Sequence, residues 1–222
     1  MATLRIITAN LLNGRASPSV LRRLIQAERP HILGVQELAP NAARVIETEF
    51  PFGKLSPRDD YHGNGLALRH EATVEQFDLE HRNGLRAILT PDSWPELSHP
   101  LEVVTVHFAS PAVRPIRRSI EARRRQTAQV LAHVREHPRA RIFIGDFNAT
   151  PLWPPYRAIA GVMTDAPRAL GTAQRTWAPL WWMPRLLRID HVFAQGMVPI
   201  KARTRRIRRS DHSALIVDFE TT

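Results

Sequence analysis

The chain contains no cysteine. That absence excludes a disulfide framework, a zinc site built on thiolates and a thiol nucleophile. Lysine is scarce as well. Lys54 and Lys201 are the only two, so nearly all of the 31 basic residues are arginine. No apolar run approaches the ~18 residues of a membrane span. The start, MATLRIITAN, lacks the basic-then-apolar order of a signal peptide. The expectation is a soluble, cytoplasmic protein with no transmembrane segment, and nothing in the sequence points to a protein partner.

What is present is an ordinary globular composition. The 222 residues are 43% hydrophobic and 23% charged, which suits a folded chain with a sizeable core and argues against disorder. A single domain over 1–222 is expected. The charge is uneven. Residues 1–100 carry a net charge of −1 and residues 101–222 a net charge of +11. Such asymmetry points to an anionic partner, nucleic acid or another phosphate-bearing ligand.

Strand and helix signals alternate along the chain. Leu4, Ile6 and Thr8 begin an apolar strand that ends at Asn10. Ser17-Pro18 reads as a helix start, followed by Val20, Leu21, Leu24 and Ile25 at helical spacing. Residues 32–35 form a short buried strand with Gln36-Glu37 at its end, and 40–49 read as a helix. Gly63-Asn64-Gly65 marks a turn before a meander over 66–68, 73–79 and 85–89. A strand over 101–106 ends at His107. The longest helical pattern runs over 116–136, with Ile116, Ile120, Thr127, Val130, Leu131 and Val134 on one stripe. The apolar run 142–144 enters Gly145-Asp146-Phe147-Asn148. Pro154 opens a helix, and strands over 189–193 and 215–219 close the chain. This alternation predicts a layered α/β or α+β fold.

The polar residues that stand out recur where apolar strands stop: Asn10, Glu37, His107, Asp146 and Asn148. Strand ends place side chains on a shared rim. Glu37, Asp146 and Asp211 offer hard oxygen donors, Asn10 and Asn148 neutral amides, and His107 and His212 imidazoles. Without cysteine, that set favours Mg²⁺ or Mn²⁺ over structural zinc.

The segments TANLLNGR, GVQEL, TVHFAS, FIGDFNATP, RIDHVFA and SDHSALIVDF occur in this order between about residues 4 and 219. Together they resemble the endonuclease/exonuclease/phosphatase superfamily of metal-dependent, DNase-like and exonuclease III-like phosphohydrolases. GDFNATPLWPPYRAI and TWAPLWWMPRLLRIDHVF resemble its short bacterial branch, although this chain lacks the membrane-spanning segments that often precede the catalytic domain there. The resemblance implies a four-layer α/β sandwich, two facing mixed β-sheets flanked by helices. It implies that Glu37 is the principal metal ligand, with Asn10 and Asp211 beside it, for Mg²⁺ or Mn²⁺ with Ca²⁺ as an alternative. By the same resemblance Asp146 orients or deprotonates the attacking water, and Asn148 binds a phosphate oxygen. His212 is the site imidazole and Asp190 the carboxylate that orients it. His107 is a second imidazole that contacts the scissile phosphate.

These motifs do not choose among DNA, RNA, lipid headgroups and small phosphoesters. The first expectation is a phosphodiesterase or nuclease-like enzyme acting on DNA or other phosphodiesters. A phosphatase acting on phosphomonoesters or lipid-linked phosphates is the alternative, and an arginine-rich nucleic-acid-binding module is the non-enzymatic one. Arg124 shares the apolar stripe of the long helix with Ile120 and Thr127 and is expected to reach the substrate phosphate. Arg208 is expected to do the same from the basic run 201–209, whose residues would alternate between faces if the run is a strand. Trp177, Trp181, Trp182 and Met183 form an aromatic loop expected to cap the core, with base stacking and lipid contact as its other readings. A chain this short has no room for a long DNA-gripping insertion, which points toward small or permissive substrates.

Overall fold

A computed structural model describes residues 2–111 and 114–221. Its strands form two six-stranded sheets. The first contains β1 (Ala2–Asn10), β2 (Ile32–Gln36), β3 (Phe52–Ser56), β4 (Asn64–Leu68), β11 (Val198–Arg206) and β12 (Ser213–Thr221), in the order β11-β12-β1-β2-β4-β3. The second contains β5 (Val74–Leu79), β6 (Arg82–Leu89), β7 (Leu101–His107), β8 (Arg141–Asp146), β9 (Thr164–Asp165) and β10 (Asp190–Gln195), in the order β5-β6-β7-β8-β10-β9. Each sheet is mixed. β1 and β2 run parallel in one and β7 and β8 in the other, and the remaining pairs are antiparallel.

The sheets face each other with helices outside, the four-layer sandwich the resemblance implies. Period-two alternation explains it. Leu4 and Ile6 of β1 meet Val103, Ile142 and Ile144 of the opposite sheet in the central core. Ile7 and Ala9, one residue out of step, face α1 (Pro18–Glu28) and α2 (Pro40–Glu49) through Leu21, Ile25 and Ile46. On the other side Val104 and Phe143 face Val130 and Val134 of α3 (Ile116–Glu136) and Ile159 of α4 (Pro154–Ala160). Strands covered on both faces read as continuous apolar runs rather than alternating ones. A short helix, α5 (Ala166–Ala169), follows β9.

Several sequence expectations change. Gly63-Asn64-Gly65 is no turn, because Asn64 opens β4. Its glycines serve close approach: a Cβ on Gly63 would sit 2.0 Å from the Leu38 carbonyl oxygen, and one on Gly65 would sit 2.6 Å from the Leu55 side chain. The α3 stripe is rotated. Ile116 and Ile120 are exposed, whereas Arg123, Gln126, Thr127 and Val130 are buried. The aromatic loop does not cap the core, since Trp181 and Trp182 are exposed.

The basic run is a strand up to Arg206, and two of its arginines are neutralised away from any rim. Arg203 and Arg205 both bond Glu28 at the end of α1, and Arg203 and Arg5 both bond Asp218. Burial pushes Glu28 up, but Arg203 and Arg205 outweigh it and hold the carboxyl below its usual value. Asp218 likewise lies low, because Arg5 and Arg203 overcome its burial. Lowered values mean that these pairs stabilise the fold above the unfolded carboxylate pKa of about 4 and that this contribution disappears as pH falls through the folded values. Melting curves recorded from neutral to acid pH should show the loss. Asp218→Asn should lower the neutral melting temperature and flatten the acid limb, whereas an acid limb parallel to that of the parent chain would contradict the assignment.

Candidate active site

Strand ends from both sheets converge on one rim. Parallel β1 and β2 deliver Asn10 and Glu37, while parallel β7 and β8 deliver His107 and Asp146, paired in register. β10 starts at Asp190, directly opposite Asp146, and β12 starts just after Asp211-His212. The local backbone is specialised. Glu37 and Asn148 have φ of 54° and 48°, and Gly145 has φ of 144°. Only glycine suits Gly145, where a Cβ would stand 1.9 Å from the Val106 carbonyl oxygen.

Asp146 is the hub. Its Oδ1 accepts the Asn148 backbone N–H at 2.8 Å, and its Oδ2 accepts Asn10 Nδ2 at 3.1 Å. The same Asn10 nitrogen donates to Glu37 Oε1 at 3.1 Å, so one amide braces two carboxylates. His107 Nε2 and His212 Nε2 approach Asp146 Oδ2 to 3.7 and 3.8 Å. Behind His212, Nδ1 lies 2.8 Å from Asp190 Oδ2. Asp190 is fully buried at the start of β10, where the Thr176 hydroxyl accepts its backbone N–H. Ser210 ties the layer together, accepting the His212 backbone N–H and donating to the Asn10 carbonyl.

The electrostatics follow from burial and these partners. Burial pushes the Asp146 carboxyl up to about 7, reinforced by the charge of Asp190 and opposed by His212. Burial works against a charged His212, yet the charge and hydrogen bond of Asp190 prevail and push it up to about 10. His107 is held well below its usual value by burial and by the charges of Arg82 and His212, so it is neutral. A poised carboxyl, a cationic imidazole and a neutral imidazole thus meet around one oxygen atom.

These groups line a cleft of about 410 Å³ together with Tyr61, Arg82 and Trp177. Asp146, Asp190 and His212 offer ligand atoms within 4.8 Å of one another, a group able to bind a metal. His212 Nδ1, however, is already engaged by Asp190. The oxygen donors facing the cleft from Glu37 and Asp211 suit a hard divalent cation better. Asp211 Oδ2 accepts Trp177 Nε1 at 3.0 Å, while its Oδ1 is buried with no hydrogen-bond partner among the described residues and lies 3.9 Å from His212 Nε2. A buried carboxylate oxygen that accepts no hydrogen bond beside a cleft fits a cation.

Asn10, Glu37, His107, Asp146, Asn148, Asp190, Asp211 and His212 are therefore brought together. Arg124 and Arg208 are not: both are exposed, and neither lines the cleft. Arg123, one position earlier, turns inward. It stacks over Trp153 and donates to the Asn148 carbonyl at 2.9 Å. Sequence reasoning also missed Arg82, the arginine in the cleft wall. It donates to the Tyr61 carbonyl at 2.7 Å and lies 4.7 Å from the centre of that ring. The available signal was a strand beginning at Arg82, which Gly84 obscured by interrupting the apolar run.

A profile of the endonuclease/exonuclease/phosphatase family matches residues 7–212. No curated protein matches the chain. Solved structures resemble it over its whole length. A Danio rerio TDP2 complexed with single-strand DNA product is 20% identical, with a TM-score of 0.74 and 100% of both chains covered. An endonuclease/exonuclease/phosphatase from Bacteroides vulgatus is 17% identical, with a TM-score of 0.76 and the same coverage. The catalytic domain of human nocturnin with bound sulfate is 17% identical, with a TM-score of 0.73, covering 99% of this chain and 95% of that one.

Proposed function

The chain belongs to the endonuclease/exonuclease/phosphatase family, and from that premise we propose that it hydrolyses phosphodiesters by direct attack of water, with residues 1–222 acting as one catalytic domain. The family supports phosphoester hydrolysis and dependence on a divalent metal. The observation that carries the finer reading is the convergence of Asn10, His107 and His212 on one oxygen of Asp146 at the cleft floor.

Each side chain then has a task. Asp146 Oδ2 accepts the proton of the attacking water, and the bond from Asn148 N–H to Oδ1 fixes its plane. His212, kept cationic and in one orientation by Asp190, donates through Nε2 to a phosphate oxygen as charge builds there. Neutral His107, whose Nε2 lies 3.7 Å from Asp146 Oδ2, contacts the phosphate from the cleft wall. Asn148 spends one amide hydrogen on the Phe108 carbonyl and offers the other to the phosphate. Arg82 supplies a fixed cation. Asn10 holds Glu37 and Asp146 apart at a set distance. Glu37 and Asp211 would hold Mg²⁺ or Mn²⁺, which supplies neutralisation of phosphate charge and a more acidic bound water.

A substrate panel tests this reading: bis-(nitrophenyl) phosphate, nitrophenyl phosphate, plasmid, single-stranded oligonucleotide and RNA, each with Mg²⁺, Mn²⁺ or EDTA. Diester cleavage that needs the metal is expected, with the fold retained in EDTA. Cleavage of the monoester alone would replace the reading with a phosphatase. Nucleic-acid binding that persists in EDTA with no hydrolysis in any metal would replace it with a binding module.

A further inference from the structure

Beside the cleft mouth the chain exposes apolar side chains that a water-facing loop has no reason to keep. Trp182 is 61% exposed, and Leu180, Trp181, Leu186 and Leu187 are each more than 40% exposed. Leu152, on the loop after Thr150, is 84% exposed. These positions border the catalytic cleft itself. Leu187 is part of its wall, and Thr150, two residues before Leu152, is another.

The loop is built to hold them out. Trp177 and Leu187 clamp its base through backbone bonds of 2.9 and 3.1 Å, and Met183 N–H closes an inner turn on the Leu180 carbonyl. Arg185 staples it inward, donating to the carbonyls of Ser210 and His212 and to the Ser213 hydroxyl. Arg206 bonds the carbonyls of Trp182 and Met183. These contacts fix the backbone, while the apolar side chains keep about half of their surface open to water. Arg208 and Arg209, exposed beyond the end of β11, add positive charge to the same region and make no side-chain ion pair among the described residues.

We propose that this rim, with Leu180, Trp181 and Trp182 at its tip and Leu186 near its base, docks on an anionic phospholipid surface and sets the cleft mouth against the headgroup layer. Tryptophan favours the boundary between headgroup and acyl chain, leucine the apolar side of it, and arginine the anionic surface. The leucines decide against base stacking as the purpose, because stacking needs flat rings and gains little from branched aliphatic neighbours. Peripheral docking agrees with the absence, among the described residues, of any helix long and apolar enough to cross a membrane. The docking stands on the surface alone. Its consequence, that the substrate is a headgroup phosphoester, rests on the phosphoesterase reading.

Cosedimentation in EDTA tests the docking without turnover. The intact chain should bind phosphatidylcholine vesicles containing phosphatidylglycerol, bind phosphatidylcholine alone more weakly, and release as salt rises. Trp181→Ala/Trp182→Ala should weaken vesicle binding at least about tenfold. It should leave the melting temperature and hydrolysis of soluble bis-(nitrophenyl) phosphate unchanged, because neither ring lines the cleft. Absence of vesicle binding, or binding that the double variant retains, overturns the proposal. So does a result in which the two tryptophans govern binding of a single-stranded oligonucleotide and no vesicle is bound. A chain that binds vesicles but never hydrolyses the soluble diester would uphold the docking and defeat the phosphoesterase reading, so the two fail separately.

Discussion

Asp146→Ala and His212→Ala should each lower turnover of a soluble phosphodiester about 10²–10⁴-fold, the scale of a positioned proton-transfer group. The geometry makes the effect large in both cases. Asp146 is the one carboxylate that both imidazoles and the Asn10 amide address, so its loss removes the acceptor for the water's proton and unsettles Glu37 through Asn10. His212 is fixed by Asp190 behind it and by Ser210 at its backbone N–H, so its Nε2 cannot be replaced by a neighbouring group. Asp190→Asn should fall between the parent and His212→Ala, since the ring keeps a hydrogen-bond partner but loses the charge that favours its cationic form. The double variant Asp146→Ala/His212→Ala should be far less impaired than the product of the single losses, because the residues act as a unit. Steady-state kinetics with melting temperatures recorded in parallel would decide the matter. Near-normal turnover in both single variants, with the fold intact, would remove these residues from the chemistry.

Much of this site was legible because its residues sit at breaks in apolar runs. His107 and Asp146 each end, and Glu37 directly follows, a strand that is buried on both faces, and such strands announce their ends sharply. The resemblance then supplied roles that spacing alone does not give. What stayed hidden depended on rotation or on partners distant in sequence. Arg123 and Arg124 differ by about 100° around α3, and only packing against Trp153 and Asn148 shows which turns inward. Arg203 and Arg205 belong to the basic run that pointed to an anionic ligand, and their actual partner, Glu28, lies about 175 residues away, beyond the reach of spacing. β3 was invisible as well, because an edge strand that keeps three of its five residues exposed lacks the apolar run that marks the inner strands.

That pairing changes the meaning of the basic second half. Part of its arginine excess answers carboxylates of the first half, as Arg203 and Arg205 answer Glu28. Part is buried as internal scaffolding, as with Arg123 and Arg141. The arginine that lines the cleft, Arg82, comes from the nearly neutral half. Net charge along the sequence therefore located the phosphate chemistry only loosely. Placement of single guanidinium groups is what relates charge to the site.

The second large effect concerns stability and lies behind the site. Asp165 and Arg188 form a bidentate pair at 2.7 and 2.5 Å, both almost wholly removed from water, and the Tyr156 hydroxyl donates to the same carboxylate. Asp165 belongs to β9, which pairs with β10, and Arg188 stands two residues before Asp190. The pair thus fastens the segment that presents Asp190 to His212. Asp165→Ala would leave the Arg188 guanidinium buried without its counter-ion, and its Nε has no partner to share the burden. Removing one member of a buried pair costs about 3–5 kcal/mol, which for a chain of this size is a fall in melting temperature of roughly 6–20 °C. Asp165→Ala/Arg188→Met should recover much of that loss, because the second substitution removes the stranded charge and refills the space with an apolar chain. Urea denaturation of the parent chain, Asp165→Ala, Arg188→Met and the double variant yields the coupling energy directly. A loss below about 1 kcal/mol in Asp165→Ala, the range of an exposed pair, would show that water reaches Arg188 and that the clamp on β10 is formed by backbone pairing alone.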